Sequence, residues 1–141
     1  MTIKIKYHAP IEKIKRMEQG DWIDLRAAED AALKAGESRL ISLGVSVKLP
    51  SGCEAHIVPR SSTFQTWGIL QTNSMGVVDE SYAGEDDIWR MPVYAVRDTQ
   101  IKMNDRICQF RVVEKMPRVI FEETDAMDPD SRGGFGSTGT R

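Results

Sequence analysis

The stretch Leu43-Gly44-Val45-Ser46-Val47-Lys48-Leu49 places an apolar side chain at every second position, and Pro50-Ser51-Gly52 stops it. A period of two belongs to a strand with one covered face, because successive side chains point to opposite sides. The next run, 53–58, ends at Pro59. Upstream, Ile3, Ile5 and Tyr7 alternate in the same way. Downstream, 88–96 is rich in apolar, aromatic and β-branched residues, and 107–113 and 119–121 complete the set. Gly, Pro, Asn and Asp stand between the runs, as hairpins and turns require. Short strands repeated in this manner predict an all-β sandwich or barrel.

Two stretches read differently. Residues 27–36 combine alanine-rich helix propensity with a closing Gly36, which predicts a short helix or a polar connection. A second short helix is expected after Arg60, with Ser61 or Ser62 as its N-cap.

A length of 141 residues suits one domain with its own core. The formal net charge is −2, with basic residues spread along the chain. That argues against a nucleic-acid binder with a basic stripe. It leaves room for a small anionic ligand, which a few aimed arginines hold. Cys53 and Cys108 lack metal-ligand spacing and read as free thiols of a reducing compartment. No apolar run approaches a membrane span, and the N-terminus lacks the apolar core of a signal peptide. A soluble cytoplasmic protein with no membrane partner is the expectation.

The alternating pattern stops after Glu123. The expected organisation is a β domain over 1–123 and a flexible arm over 124–141. The arm closes with Arg132-Gly133-Gly134-Phe135-Gly136-Ser137-Thr138-Gly139-Thr140-Arg141. Its glycines allow backbone N–H groups to approach a phosphate, and its hydroxyls add donors. No Gly-Lys-Ser/Thr follows a strand, so it is not a Walker loop.

Four other segments have chemistry to offer. Pro59-Arg60-Ser61-Ser62-Thr63 brings an arginine and hydroxyls to a strand end, a sound anion site or an ordinary cap. Asn73-Ser74-Met75-Gly76-Val77-Val78-Asp79-Glu80-Ser81-Tyr82-Ala83-Gly84-Glu85 reads as turns around a short strand. It sets Asp79 three residues before the flat surface of Tyr82. An aspartate in such a turn also commonly caps its own backbone. In Asp105-Arg106-Ile107-Cys108-Gln109-Phe110, strand alternation sets Arg106, Cys108 and Phe110 on one face and Ile107 and Gln109 on the other. A glutamine turned in among apolar residues requires a partner. In Gly20-Asp21-Trp22-Ile23-Asp24-Leu25-Arg26-Ala27, Asp24 faces away from Ile23 and Leu25 if the segment is a strand.

In order and spacing, these five segments resemble the five motifs of the trimeric dUTPase family. The wording looks closest to dUTPases of bacterial prophages. Pro59-Arg60-Ser61-Ser62, Gly76-Val77-Val78-Asp79 with Tyr82-Ala83-Gly84-Glu85, and Gly134-Phe135-Gly136-Ser137-Thr138-Gly139 are the specific parts. The resemblance implies a distorted jelly roll, a homotrimer with shared sites, and a Mg²⁺-dependent dUTP diphosphatase. Such an enzyme makes dUMP and pyrophosphate, keeping uracil out of DNA and supplying dUMP for thymidylate synthesis. Residue by residue, it implies that Asp79 orients the attacking water and that Tyr82 stacks under the deoxyribose. Asn73 and the backbone of Gly76 to Val78 would read uracil. Arg60, Ser61, Ser62 and Gln109 would hold phosphates. Asp24 would contact water on the Mg²⁺, close to the chemistry. Phe135 and Gly136 would close over the base while Ser137 and Thr138 bind the outer phosphates.

Two departures stand out. Trp22-Ile23 precede Asp24 where the family has small residues. Asp130 occupies the usual arginine position of the last motif, and Arg132 directly precedes Gly133-Gly134, so either that shifted arginine reaches the outer phosphates or the contact is missing. The rival enzyme of this fold family is a dCTP deaminase, which needs a carboxylate at C4 of the base. No extra Glu stands in the uracil-reading hairpin. A rival of another class is a regulator that binds a partner protein in response to nucleotide.

Overall fold

A computed structural model describes residues 1–141. Ten strands and one short helix follow in chain order: β1 Lys4–Tyr7, β2 Ile23–Arg26, β3 Ala31–Leu33, β4 Ser38–Lys48, β5 Cys53–Pro59, α1 Thr63–Trp67, β6 Ile69–Gln71, β7 Gly76–Val78, β8 Ile88–Ala95, β9 Thr99–Ile101 and β10 Arg106–Glu114. Two four-stranded sheets, ordered β1-β4-β8-β6 and β2-β10-β5-β7, are joined by the ribbon β3-β9. Every pairing is antiparallel. This is the all-β jelly-roll architecture expected. No helix is long and apolar enough to cross a membrane.

One core joins all three sheets. Ile41, Leu43, Val45 and Val47 enter it from β4, Trp89, Met91 and Val93 from β8, and Ile57, Ile107 and Phe110 from the second sheet. Trp89 meets Phe110 edge to face across the core, with centroids 5.3 Å apart. That geometry sets the positive ring edge against a negative face. The 43–49 stretch is strand as far as Lys48, as its period demands, but from Leu43 to Val47 it is covered on both sides. Gly44 and Ser46 are buried along with the apolar set. At Gly44 φ is +68°, and a Cβ there would lie 2.7 Å from the Ala28 Cβ. The pairing of β4 with β8 shifts register between Ser42 and Ser46. Glycine therefore permits both the backbone bend and the close approach.

Three expectations require correction. Residues 27–36 form no helix. Ala31–Leu33 is a strand paired with Thr99–Ile101, burying Ala31 and Leu33 and exposing Ala32. The alanines serve as small residues: Ala27 and Ala28 donate their N–H groups to Asp105 and Ser42, and packing overrides helix propensity. The run 119–121 is not a strand, and Ile120 and Phe121 stand exposed. Three apolar residues without a partner strand cannot satisfy their own backbone. The simple alternation along 106–110 also fails. A register irregularity between Arg106 and Cys108 buries both Ile107 and Cys108 and leaves Arg106 outside. The second helix is present, capped at Ser62, although the serine side chain makes no capping bond. Both cysteines are buried and free. Burial, with the charge of Asp24 added, pushes the Cys108 thiol far up, so it is an inert core side chain.

Candidate active site

Three neighbouring strands of the second sheet assemble a polar cleft. Asp24 on β2 lies opposite Gln109 on β10, and Gln109 lies opposite Val58 on β5. Arg60 follows the end of β5. Its Nε donates to Asp24 Oδ1 at 2.9 Å, and Arg106 Nη1 donates to Asp24 Oδ2 at 3.1 Å. Arg60 Nη1 also reaches the Arg106 carbonyl at 3.2 Å. The Arg60 backbone is fixed by the buried Thr63 hydroxyl, which accepts its N–H at 2.9 Å and donates to the Ile107 carbonyl at 3.0 Å. Gln109 Nε2 donates to the Pro59 carbonyl at 3.2 Å, so the partner it required is backbone and its side chain lines the cleft.

Asp24, Arg60, Ser61 and Gln109 thus line one cleft of about 760 Å³, together with Lys15, Glu18 and Trp22. Ser62 sits at the head of α1 and does not line it. Trp22, the bulky departure before Asp24, lies beneath the Arg111 guanidinium, 5.6 Å from carbon to ring centre. Arg106 as the second partner of Asp24 was not legible, because simple alternation turns it to the other face.

A second cleft of about 570 Å³ gathers Asn73, Gly76, Val77, Val78, Asp79 and Tyr82. The strand β7 pairs only with β5 and forms the sheet edge, so its outer backbone groups are unpaired. Asn73 is held by Gln71, a buried side chain whose Nε2 donates to Asn73 Oδ1 and to the Ile57 carbonyl, each at 2.9 Å. Sequence reading passed over Gln71, whose partner lies on another strand. At Gly76 a Cβ would come within 3.3 Å of the Ile57 Cβ, a tight contact that requires Ile57 to give by a few tenths of an ångström.

Asp79 caps its own turn. Its Oδ1 accepts the Ser81 N–H at 2.8 Å, and its carbonyl accepts the Tyr82 N–H at 3.0 Å. The Ser81 backbone and hydroxyl, followed by the Lys115 ammonium, hold its carboxyl down at about 2. Lys115 Nζ stands 3.3 Å from Asp79 Oδ2 and 2.8 Å from Glu80 Oε1. The Tyr82 ring is part-exposed along the cleft wall.

The two clefts share no residue within one chain. Residues 124–141 touch neither. Their hydrogen bonds are local, such as Gly134 N–H to Ser137 Oγ at 2.8 Å, and Phe135 is fully exposed. Arg132, Phe135, Gly136, Ser137 and Thr138 therefore stand away from the residues that they were expected to join.

The dUTPase family model matches residues 9–139. The chain belongs to the dUTPase family. It is 59% identical over 142 residues to an SPbeta prophage-derived deoxyuridine 5'-triphosphate nucleotidohydrolase of Bacillus subtilis (strain 168), covering 100% of both chains. It is 36% identical over 129 residues to the deoxyuridine 5'-triphosphate nucleotidohydrolase of Maricaulis maris, covering 87% of this chain and 84% of that one. A solved Staphylococcus bacteriophage 80alpha dUTPase variant with dUpNHpp superposes with a TM-score of 0.80 at 18% identity, covering 99% of each chain. A phage phi11 dUTPase described with a structural Mg(II) ion superposes at 0.76, covering 89% of this chain and 98% of that one at 15% identity. These two likenesses concern the dUTPase fold, and the sequence relatives carry the membership.

Proposed function

We propose that this chain hydrolyses dUTP to dUMP and pyrophosphate, as a homotrimer whose sites each draw on more than one copy. Water oxygen bonds to the phosphorus nearest the sugar, the bond from that phosphorus to the bridging oxygen breaks, and pyrophosphate leaves with the electron pair. The observation that carries the reading is the division of polar groups into two clefts. One offers Arg60, Lys15, the Ser61 hydroxyl and the Gln109 amide, suited to a triphosphate. The other offers an edge strand, an anchored asparagine and an aromatic ring, suited to a nucleoside. Either alone is half a site, and symmetric copies complete both.

In this reading Arg60, Ser61 and Gln109 hold phosphates, with Ser62 at the head of α1. Asn73 and the outer edge of Gly76–Val78 read the uracil, because unpaired backbone donors and acceptors discriminate ring edges sharply. Tyr82 supports the sugar. Asp79, ionised throughout the neutral range, orients water and accepts its proton as phosphorus is attacked. Catalysis here is positioning and charge stabilisation, as phosphoryl transfer demands.

The donor set around Asp24 fits Mg²⁺ only through water. Both Asp24 oxygens already accept from guanidinium groups, and no three His, Cys, Asp or Glu side chains cluster as a metal site. Mg²⁺ tolerates this because it keeps several waters and takes substrate phosphates as ligands. When bound, it would neutralise charge developing on those phosphates.

The arm from 124 to 134, about eleven residues, can reach roughly 35 Å. That length brings Phe135, Gly136, Ser137 and Thr138 over the site of a neighbouring copy, with Arg132 aimed at the outer phosphates. Closure of such a segment excludes water from the reaction. A regulatory partner is a second reading. Staphylococcus phage dUTPases of this fold are described as controlling transfer of virulence genes by a proto-oncogenic G protein-like mechanism. A pull-down with and without dUTP tests it here.

The deciding experiment is pyrophosphate release from dUTP, dCTP, dTTP and UTP, each with and without Mg²⁺. Release from dUTP alone, and only with the metal, supports the proposal. Release from none sinks it, and release from dCTP together with ammonia turns it toward a deaminase.

A further inference from the structure

Lys115 lies outside all five motif segments and lines neither cleft. It follows directly on β10, where the chain leaves the sheet and runs toward the arm. Its surroundings form a closed set of bonds. The Lys115 N–H donates to the Gly52 carbonyl at 2.9 Å, and the Gly52 N–H donates to Glu80 Oε2 at 2.7 Å. The other Glu80 oxygen takes the Lys115 ammonium at 2.8 Å, and that same ammonium stands 3.3 Å from Asp79 Oδ2. Three remote pieces of chain thus meet at one side chain: the end of β10, the turn between β4 and β5, and the turn bearing Asp79.

We propose that Lys115 is a positioning residue for Asp79, spanning the adjacent carboxylates of Asp79 and Glu80 and fixing the direction from which Asp79 faces the attacking water. The proposal rests on Asp79 being the water-orienting group. Without the ammonium, two neighbouring carboxylates would repel each other with only Ser81 and the Gly52 N–H to restrain them. With it, one Asp79 oxygen is tied to Ser81 and the other to Lys115, and the carboxylate plane is set before substrate arrives. The side chains retain enough exposure for water to reach Asp79, at 57% for Asp79 and 32% for Lys115. Few other charges compete. Tyr82 and Arg90 share the cleft with Asp79, while Glu54 and His56 on β5 pair with each other at 2.6 Å. The bonding also links Asp79 to the start of the exposed chain that leads to the arm, since Met116 is one residue beyond Lys115.

The test is a double-mutant cycle on the full-length enzyme, using Asp79→Asn, Lys115→Met and the combination, with Lys115→Arg beside them. Thermal melting and particle size confirm assembly. Where the methionine variant fails to assemble, Lys115→Gln replaces it, keeping a short neutral donor. Lys115→Met is expected to lower kcat by on the order of 10-fold with KM nearly unchanged, as a misdirected reacting group does. Lys115→Arg is expected to recover most of that loss. In the Asp79→Asn background, Lys115→Met is expected to cost nothing further, because the effect travels through Asp79. Equal losses in both backgrounds overturn the proposal while leaving Asp79 as the base. A loss confined to KM, or wild-type kcat in Lys115→Met, also overturns it. Wild-type turnover in Asp79→Asn sinks the reading of Asp79 itself, and the proposal with it.

Discussion

Around Asp24 the polar groups are tied side chain to side chain across three strands, whereas around Asp79 they are tied mainly to backbone at turns. The first cleft has two guanidinium groups locked onto one carboxylate before any ligand arrives. The second has a free sheet edge, a capped turn and an asparagine held by a buried glutamine. The difference suits the two halves of the proposed substrate. Phosphates are highly charged and are met by ready-aimed arginines. A neutral base is distinguished by the pattern of donors and acceptors on its edge, and a rigid backbone presents such a pattern without side-chain entropy to lose.

The strongest blow to this comparison falls on Asp79. Asp79→Asn is expected to leave dUTP binding nearly intact and to reduce turnover by on the order of 10²–10⁴-fold. Single-turnover kinetics with a separate binding titration check both halves. Next comes the arm. Removing residues 133–141 is expected to slow turnover by roughly 10²-fold, with the assembly unchanged on gel filtration. Normal turnover in the shortened chain would end its role as a closing segment.

A third experiment asks whether the two clefts serve one site from different copies. Arg60→Ala and Asp79→Asn are each expected to be nearly inactive alone. Mixed, unfolded and refolded together in equal amounts, they are expected to regain about a quarter of wild-type turnover, since random symmetric assembly pairs an intact copy of each cleft that often. No recovery would mean that both clefts act within one chain. The smallest effect concerns pH. Because the Asp79 carboxyl is held at about 2, below its ordinary value, its ionised form adds to stability above the unfolded value and that contribution fades as pH falls through about 2. Carboxyl NMR is expected to show no Asp79 titration between pH 5 and pH 8. A midpoint inside that window would contradict the hydrogen bonds from Ser81 and Lys115.

The same two clefts differ in how well the sequence disclosed them. Long strands were legible: β8 alternates along its whole length because one face meets the core. Strands of three or four residues, such as β6 and β9, are too short to carry a period. Residues 27–36 misled because alanine favours helices in isolation, while here it fits where Gly44 and Ala28 approach closely. The run 119–121 has strand composition but no strand beside it within this chain. In the cleft around Asp24, the residues Arg60, Ser61, Gln109 and Asp24 itself were legible as motif residues. Arg106 was not, since a single bulge reversed its facing. Around Asp79 the turn itself was legible from Asn73 to Tyr82. Gln71 and Lys115 were not, because each is defined by partners on other elements that spacing along the chain does not reveal.

The exposure of the arm has a practical side. Arg132 lies in uncovered chain immediately before the glycine run, and only nine residues follow it. A trypsin-like protease cutting there would remove Phe135, Ser137 and Thr138 and leave the jelly roll whole. The clipped protein would still melt like the intact one and still retain Asp24, Arg60 and Asp79. If the arm closes over the site as proposed, ageing preparations would lose activity with no sign of denaturation, and a mass spectrum of the C-terminus would explain it where a melting curve would not.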